Sequence, residues 1–284
     1  MSLRINQNPL AIGVHRQLMN TQNSLDQAVT RLSSGLRINY AWDDPAGLAV
    51  SEKMRAQISS MTEAERNANY AINMLATAEG ALAVIDEKLI RMRALSVEAS
   101  NGTLTSLDRS YVDMEFQQLK SEITRIANVT NYNGLYLIDG TYSTGAAGPG
   151  GLGIKLHIGT YNVANQDYYY VNLGDMTSSG LGLSTVDLTT TATAQSAINT
   201  LDSAINSKDT ERTRIGSFVS RLQATVANLQ VSKENMVAAE STIRDADMAE
   251  EMAAFTRAQI LMQSGIAMQA QANNAPSLVA RLLQ

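Results

Sequence analysis

Apolar residues recur every seven positions in the first 131 residues, which predicts long helices packed as a coiled coil. The pattern breaks once, near residue 40, and then restarts and holds for six successive positions. The residues on the first heptad position are Leu18, Leu25 and Leu32, then Met54, Met61, Ala68, Leu75, Leu82 and Leu89. Those on the second are Val29 and Leu36, then Val50, Ala64, Ala71, Ala78, Ile85 and Met92.

Capping residues mark the ends of the helices in this zone. Asp44 can cap a helix whose first residue is Pro45, because proline lacks the N–H that would be unpaired there. The Asn-Gly pair at 101–102 is a typical stop signal, so we expect one helix of about 55 residues. Thr105 and Asp108 have capping-box spacing and predict the start of a third helix.

The last third of the chain carries the same kind of repeat. The heptad residues are Leu201, Ile215, Leu222, Leu229 and Met236, with Ile198, Ile205, Val219 and Val226 on the second position. A further amphipathic stretch runs from Ile243 through Ile266 and is predicted to end near Pro276. Long helices at both ends of the chain predict that the termini pack antiparallel around one shared core.

The middle, residues 132–192, has the composition of β-structure. Tyr132-Asn133-Gly134 contains a strong hairpin signal, and Asp139-Gly140 repeats it. Residues 152–158 and 168–173 read as short strands. The predicted fold class is mainly α, with long antiparallel coiled-coil-like helices from both termini and a small β-hairpin-rich central region.

Composition narrows the range of partners. The formal net charge of −5 lacks the positive balance expected of a protein that binds nucleic acid. The chain has no cysteine and therefore forms no disulfide. The N-terminal residues lack the apolar run of a secretory signal, so export would need a signal-independent machine. The uncharged run 258–280 has the length of a membrane span, but its Gln and Asn residues favour a surface buried against protein.

Catalytic and metal-binding patterns are nearly absent from the sequence. The two histidines, His15 and His157, lie in different zones, and no metalloprotease, nucleophile-elbow or phosphate-loop motif occurs. The pair Asp43-Asp44 reads better as a helix cap than as a catalytic pair. The acidic residues Asp245, Asp247, Glu250 and Glu251 read better as a solvated helix start than as a cation site. We predict no catalytic site, no metal and no cofactor, and therefore no enzyme.

Two segments resemble the signatures of bacterial flagellins. Residues 31–39 (RLSSGLRIN) with 43–49 (DDPAGLA) are similar to the N-terminal signature, and residues 241–251 (STIRDADMAEE) with Gln271-Ala272-Asn273 are similar to the C-terminal one. Trp42 and Pro45 stand where the family more often has a small residue. The two zones together cover roughly 200 residues of the chain.

The resemblance implies a subunit that polymerises into the flagellar filament, the propeller of motility. It implies that residues 1–44 and 243–284 line an inner tube, that residues 45–131 and 193–242 form a helical rod, and that residues 132–192 form a small β-rich region on the rod. The implied subunit interface consists of Leu18, Leu25, Val29, Leu32, Leu36, Met252, Phe255, Met262 and Ile266. A flagellin-like protein of the hook–filament junction is the alternative, and an enzyme-bearing flagellin is a third hypothesis.

The resemblance also implies partners and further sites. The partners are other copies of the chain, a flagellar export chaperone, the type III export apparatus, and the hook-junction and cap proteins. Leu278 and Leu282 are candidate chaperone contacts. The family's immune-receptor patch maps to Arg91, Leu95 and Glu115, although ordinary rod packing explains these residues equally well. Candidate O-glycosylation sites are Ser143, Thr144, Thr177, Ser178 and Ser179. The implied location is a secreted extracellular filament, with a periplasmic filament as the alternative.

Overall fold

The computed structural model describes residues 8–143 and 153–282, with side chains as far as residue 274. Long helices dominate this part of the chain, which confirms the predicted fold class. The helices are α1 (Pro9–Ser34), α2 (Pro45–Ala99), α3 (Ser106–Val129), α4 (Thr191–Arg244) and α5 (Met248–Leu282). The strands are β1 (Asn131–Tyr132), β2 (Leu135–Tyr136), β3 (Ile154–His157) and β4 (Tyr168–Val171).

The helix ends agree closely with the capping signals. The side chain of Asp44 accepts a hydrogen bond from the N–H of Gly47 at 2.9 Å, and α2 spans 55 residues. Thr105 and Asp108 form the predicted capping box at the start of α3. At its C-terminus, α5 differs from the prediction, since it continues past Pro276 to Leu282. A proline removes only one helical hydrogen bond, so it favours a helix end without enforcing one.

The chain folds as two compact units. The terminal unit comprises Met1–Ile58 and Glu234–Gln284, and the rod unit comprises Ser59–Lys233. In the terminal unit α1 packs antiparallel against α5, as predicted for the two ends. The Asn8 amide donates to the carbonyl of Ala272 at 2.7 Å near one end of the pair, and Arg31 meets Glu251 at 2.8 Å near the other.

The heptad positions of α2 form the core of the rod unit. Leu75, Leu82, Ile85 and Leu89 are fully buried, as the sequence predicts. They pack in one apolar cluster with residues of α3, of the β-region and of α4, among them Phe116, Val171 and Leu201. The rod unit therefore buries its own apolar stripe within a single chain.

The second heptad position of α4 differs from the prediction in the first half of the helix. There the buried residues are Ala197, Ala204 and Glu211, whereas Ile198 and Ile205 are half-buried. Farther along, Val219 and Val226 pack half-buried against the core. The small alanines at the buried position allow the helices to approach closely. The larger isoleucines one position later cover the edge of this contact. Lys208 occupies the first heptad position between Leu201 and Ile215 and is 2% exposed.

The β-region contains two antiparallel hairpins. Asn133 and Gly134 join β1 to β2 in the predicted hairpin, and their positive φ angles of 51° and 81° are those of a type I′ turn. Strands β3 and β4 pair from Ile154 with Val171 to His157 with Tyr168. Asp139-Gly140 forms a tight turn, but no described strands flank it, so the second hairpin signal was wrong.

Candidate assembly surface

Large apolar side chains remain exposed along α1 and α5. Within the described residues of these two helices, each of the following exposes 45–68% of its surface: Leu10, Ile12, Met19, Val29, Met248, Met252, Ile260, Leu261, Ile266 and Met268. Isolated exposed apolar residues are ordinary, but a run along both members of a helix pair indicates a surface for association.

The predicted interface residues divide into two groups. Val29, Met252 and Ile266 are 45%, 50% and 58% exposed and face away from the helix pair. The others are half-buried: Leu18, Leu25, Leu32, Leu36, Phe255 and Met262. Leu18 packs on Gly265 so closely that an added Cβ would lie 2.9 Å from its Cδ1. This seam between α1 and α5 thus uses apolar residues that the sequence assigned to contacts between subunits.

The segment after α1 clamps to the segment before α5. Gly35 ends α1 with a φ of 72°, which suits glycine, and its carbonyl accepts from the N–H of Ala246 at 3.0 Å. The N–H of Arg37 donates to the carbonyl of Arg244, and its guanidinium donates to the carbonyl of Ile243 at 2.6 Å. The flagellin-like signatures therefore meet in this clamp, a role for Arg37 that sequence reasoning missed.

Charged contacts strengthen the same clamp. Arg244 lies 2.6 Å from Glu52, and its hydrogen bond holds the pKa of the Glu52 carboxyl below its ordinary value of 4.5. Asp43 accepts hydrogen bonds from the N–H groups of Asn39 and Tyr40 at 3.1 and 3.0 Å. The Asp43-Asp44 pair accordingly holds a loop and caps a helix, which supports the structural interpretation of these carboxylates.

Two features of the terminal unit face solvent beside these contacts. The rings of Tyr40 and Trp42 stack at 4.5 Å, and Trp42 is 77% exposed. On α5, a shallow, open and mainly apolar depression of about 540 Å³, called the α5 groove below, lies along one face of this single helix. It is lined by Met252, Ala253, Thr256, Arg257, Ile260 and Leu261.

The residues of the predicted immune-receptor patch do not share one surface. Arg91 and Glu115 form a two-point ion pair at 2.7 and 3.0 Å, which lowers the pKa of the Glu115 carboxyl. Leu95 is 1% exposed and belongs to the rod core. The packing interpretation thus accounts for Leu95, and recognition by a receptor stays a prediction that concerns Arg91 and Glu115.

The candidate glycosylation hydroxyls also differ in their surroundings. The hydroxyl of Thr177 donates to Asp175 at 2.7 Å, and that of Ser178 pairs with Thr124 at 2.8 Å. Ser143 is half-buried, whereas Ser179 is exposed. Thr144 and the side chains of Leu278 and Leu282 lie outside the described residues.

The described part of the chain offers no group of three histidine or acidic residues that could hold a metal ion. No helix in that part is both apolar and long enough to cross a bilayer.

Comparison with known proteins decides the family. The model of the bacterial flagellin N-terminal helical region matches residues 5–143, and that of the C-terminal helical region matches residues 198–283. The chain belongs to the bacterial flagellin family. It is therefore a structural subunit of the flagellar filament.

Full-length relatives agree with this assignment. The chain is 41% identical over 280 residues to a flagellin of Halalkalibacterium halodurans, with 99% of both chains covered. It is 41% identical over 288 residues to the flagellar filament 33 kDa core protein of Treponema phagedenis, also with 99% of both covered. A flagellin of Bacillus subtilis is 39% identical over 307 residues, covering 99% of this chain and 100% of that protein.

A likeness to a solved structure concerns the fold. That structure is of a Vibrio parahaemolyticus protein described as flagellar hook-associated, with a TM-score of 0.58 and 19% identity over 72% of this chain and 100% of that one. At this identity the likeness concerns the fold alone and gives no support to a junction role.

Proposed function

We propose that copies of the chain polymerise through the outward faces of α1 and α5. The observation that carries this proposal is the row of exposed apolar side chains on both helices, including Ile12 at 68% and Ile266 at 58%. These side chains gain burial only when neighbouring copies cover them, and burial of apolar area is the main driving force of association. Residues 1–44 and 243–284 form the inner tube of the filament in this proposal.

The rod unit has a different role in the proposed filament. The core of the rod unit, Ser59–Lys233, is buried within one chain. The proposed rod extends beyond this unit, to residues 45–131 and 193–242, which form a helical layer of the filament. The β-rich residues 132–192 add a small surface feature to the rod. Neither the rod nor the β-region performs catalysis in this proposal, and the chain acts as a mechanical element.

Export and assembly partners complete the proposal. The subunit leaves the cell through the flagellar type III apparatus, escorted by a chaperone that binds the C-terminal helix around Leu278 and Leu282. It then adds to a filament outside the cell, between the hook-junction and cap proteins. Ser179 is the preferred glycosylation site, because its side chain is exposed.

A truncation separates assembly from folding. Removal of residues 270–284 shortens α5 and the paired terminal helices, so filaments should not form from the purified subunit. Circular dichroism should still show a helical rod, since the rod core lies within Ser59–Lys233. Electron microscopy of negatively stained samples gives the readout.

The matched control is Val84→Ser, which removes a 42%-exposed apolar side chain from the rod instead. This variant should polymerise like the unaltered chain. Filaments of normal length from the truncated chain would show that the terminal pair does not drive assembly.

A further inference from the structure

Tyr40 and Trp42 form a rigid, exposed aromatic plate in the terminal unit. Their rings are nearly parallel, with an angle of 14° between the planes, and they are 48% and 77% exposed. The loop that carries them is held by the carboxylate of Asp43, which accepts from two backbone N–H groups. Preorganised aromatic side chains lose little conformational entropy on binding, which suits them to act as anchors.

The surface beside the plate carries acidic charge. Trp42 and Asp26 line one shallow hollow together with Asp43 and Arg31, whose charge is paired with Glu251 at 2.8 Å. Asp26 accepts a hydrogen bond from the Gln22 amide at 2.9 Å. Asp26 has no cation partner among the described residues. The plate thus presents two stacked rings beside an uncompensated carboxylate.

The groove on α5 has the complementary character. Met252, Ile260 and Leu261 supply its apolar surface and are each 50–58% exposed. Arg257 lies at its edge and has no carboxylate partner in the described part of the chain. A guanidinium beside an apolar wall is a favourable site for an indole ring, since the cation can lie over the ring face.

We propose that the aromatic plate of one subunit docks into the α5 groove of a neighbouring subunit. Trp42 of one subunit lies against the face formed by Met252 and Ile260 of its neighbour. The neighbour's Arg257 stacks on the indole ring and faces the Asp26 that lies beside this Trp42. The aromatic plate and the α5 groove are both exposed in a single chain, so the plate does not lie in the groove of its own subunit. The inference rests on the proposed polymerisation and assigns one specific contact within it.

Two observations favour a second copy of the chain as the occupant of the α5 groove. The groove is continuous with the exposed apolar residues through which α1 and α5 are proposed to assemble. The unpaired charges, Asp26 beside the plate and Arg257 in the groove, are also of opposite sign. Because plate and groove are different patches of one subunit, the contact is heterologous and repeats from copy to copy without closing into a dimer.

The single tryptophan of the chain makes docking directly measurable. In the monomer, the fluorescence of Trp42 should be strongly quenched by acrylamide because the side chain is 77% exposed. In filaments the emission should shift to shorter wavelength, and acrylamide quenching should fall severalfold. Filaments whose Trp42 emission and quenching equal those of the monomer would overturn the proposal while leaving the polymerisation proposal intact.

Crosslinking tests which residues meet, and the absence of natural cysteine removes the background. One preparation carries Ala41→Cys beside the plate and a second carries Ala253→Cys in the groove; both positions are exposed. Copolymerised and treated with a short thiol crosslinker, the mixture should give covalent dimers that filaments of either variant alone do not give. Equal dimer yields from mixed and single-variant filaments would contradict the pairing.

Substitutions test the contribution of the contact. Trp42→Ala should raise the critical concentration for polymerisation about tenfold or more, as for tryptophan anchors in other interfaces, without changing the helicity of the monomer. Arg257→Lys keeps the charge but loses the planar stack, so its effect should lie between those of the unaltered chain and Arg257→Ala. Tyr136→Ala, at an exposed aromatic of the rod unit, is the matched control. If Tyr136→Ala raises the critical concentration as much as Trp42→Ala does, the effect is not specific to the aromatic plate.

If the unaltered chain formed no filaments under any condition, the polymerisation proposal itself would fail. That outcome differs from filaments that assemble with a solvent-exposed Trp42, which overturns only the docking contact.

Discussion

The rod unit and the terminal unit are built from the same kind of heptad helix but differ in how much of it they bury. Leu82 on α2 is fully buried, whereas Ile266 on α5 is 58% exposed. In the rod, residues of α2, α3, α4 and the β-region share one core, so the apolar stripe of α2 is covered on several sides. In the terminal unit, the described residues of α1 and α5 form a pair of helices that leaves large apolar side chains of both exposed. Heptad periodicity therefore predicts helices, and the number of packed layers decides whether they are complete in one chain.

The difference between the units separates folding from assembly. A residue of the rod core contributes to the stability of the monomer, because its partners are in the same chain. A residue on the outer face of the terminal pair contributes only when another copy is present. Substitutions in the two units should consequently be read out in different experiments.

The largest expected effect on monomer stability comes from the rod core. Leu82→Ala removes a fully buried side chain and leaves a cavity, so the free energy of unfolding should fall by about 2–5 kcal/mol. Ile266→Ala should change it by less than about 0.5 kcal/mol, since that side chain is mostly solvated. Thermal and urea denaturation followed by circular dichroism measure both values.

Ile266→Ala should impair filament formation more than Leu82→Ala does, the reverse of their order for monomer stability. Ile266→Ala should raise the concentration needed for polymerisation, and Leu82→Ala should affect it only through loss of folded monomer. A monomer destabilised equally by the two substitutions would mean that the terminal face is buried in the isolated chain, which contradicts the comparison.

The rod core contains one polar layer, which supplies the next prediction. Lys208 lies 2.5 Å from Asp86 and 2.7 Å from Asp209. Burial alone would lower the pKa of Lys208, but the hydrogen bonds to Asp209 and Asp86 outweigh it and raise the pKa. Lys208→Met leaves Asp86 without its close cation, so the free energy of unfolding should fall by about 1–3 kcal/mol.

A double substitution distinguishes the ion pair from packing. Lys208→Met with Asp86→Leu removes Lys208 and its less exposed partner, and much of the lost stability should return because the remaining partner, Asp209, is 57% exposed and can be solvated. An equally destabilised double variant would show that the Lys208 stem, and not its charge, holds the helices together. Its helical register, probed by crosslinks between α2 and α4, tests whether the polar layer selects one alignment.

Much of the fold could be predicted because the signals are local. Asp44 and Pro45 mark the start of α2, Thr105 and Asp108 mark the start of α3, and Asn133-Gly134 selects a hairpin turn. Each signal acts within a few residues, where the chemistry of caps and turns is nearly independent of the rest of the chain.

The errors concern tertiary context. The sequence placed Ile198 and Ile205 on the core seam of α4, but Ala197, Ala204 and Glu211 occupy it. Side-chain size alone could not show that the helices approach closely enough for alanine to be the better fit. The clamp formed by Arg37 was missed for a similar reason, because its partner carbonyls lie more than two hundred residues along the chain.

The candidate assembly surface was predictable as a region but not residue by residue. The sequence assigned Leu18 and Met252 alike to contacts between subunits, since both are apolar residues of the terminal helices. The structure places Leu18 against Gly265 and leaves Met252 exposed. Which side of a helix faces its own partner depends on the rotation of the pair, and heptads that are apolar nearly all round do not specify it.

Mild acid should produce the smallest effect, and should act mainly on the rod. Among the described residues, carboxyl groups with lowered pKa include Glu65, Asp108, Glu115, Glu122, Asp187 and Asp202 in the rod unit and Glu52 in the terminal unit. The pKa of Glu65 lies below its ordinary value of 4.5 because Gln230 and Lys233 donate hydrogen bonds to it at 2.9 and 2.7 Å.

A carboxyl whose pKa is lower in the folded state stabilises that state above its unfolded pKa, and the contribution is lost as the pH falls through the folded pKa. For Glu65 the loss thus begins near pH 4.5 and is complete only below the lowered value. The thermal midpoint of the rod should decline over this range, and Glu65→Gln should make the decline shallower because one titrating group is removed. Equal slopes for the unaltered chain and Glu65→Gln would show that the contact of Glu65 with Lys233 and Gln230 is too solvated to affect stability.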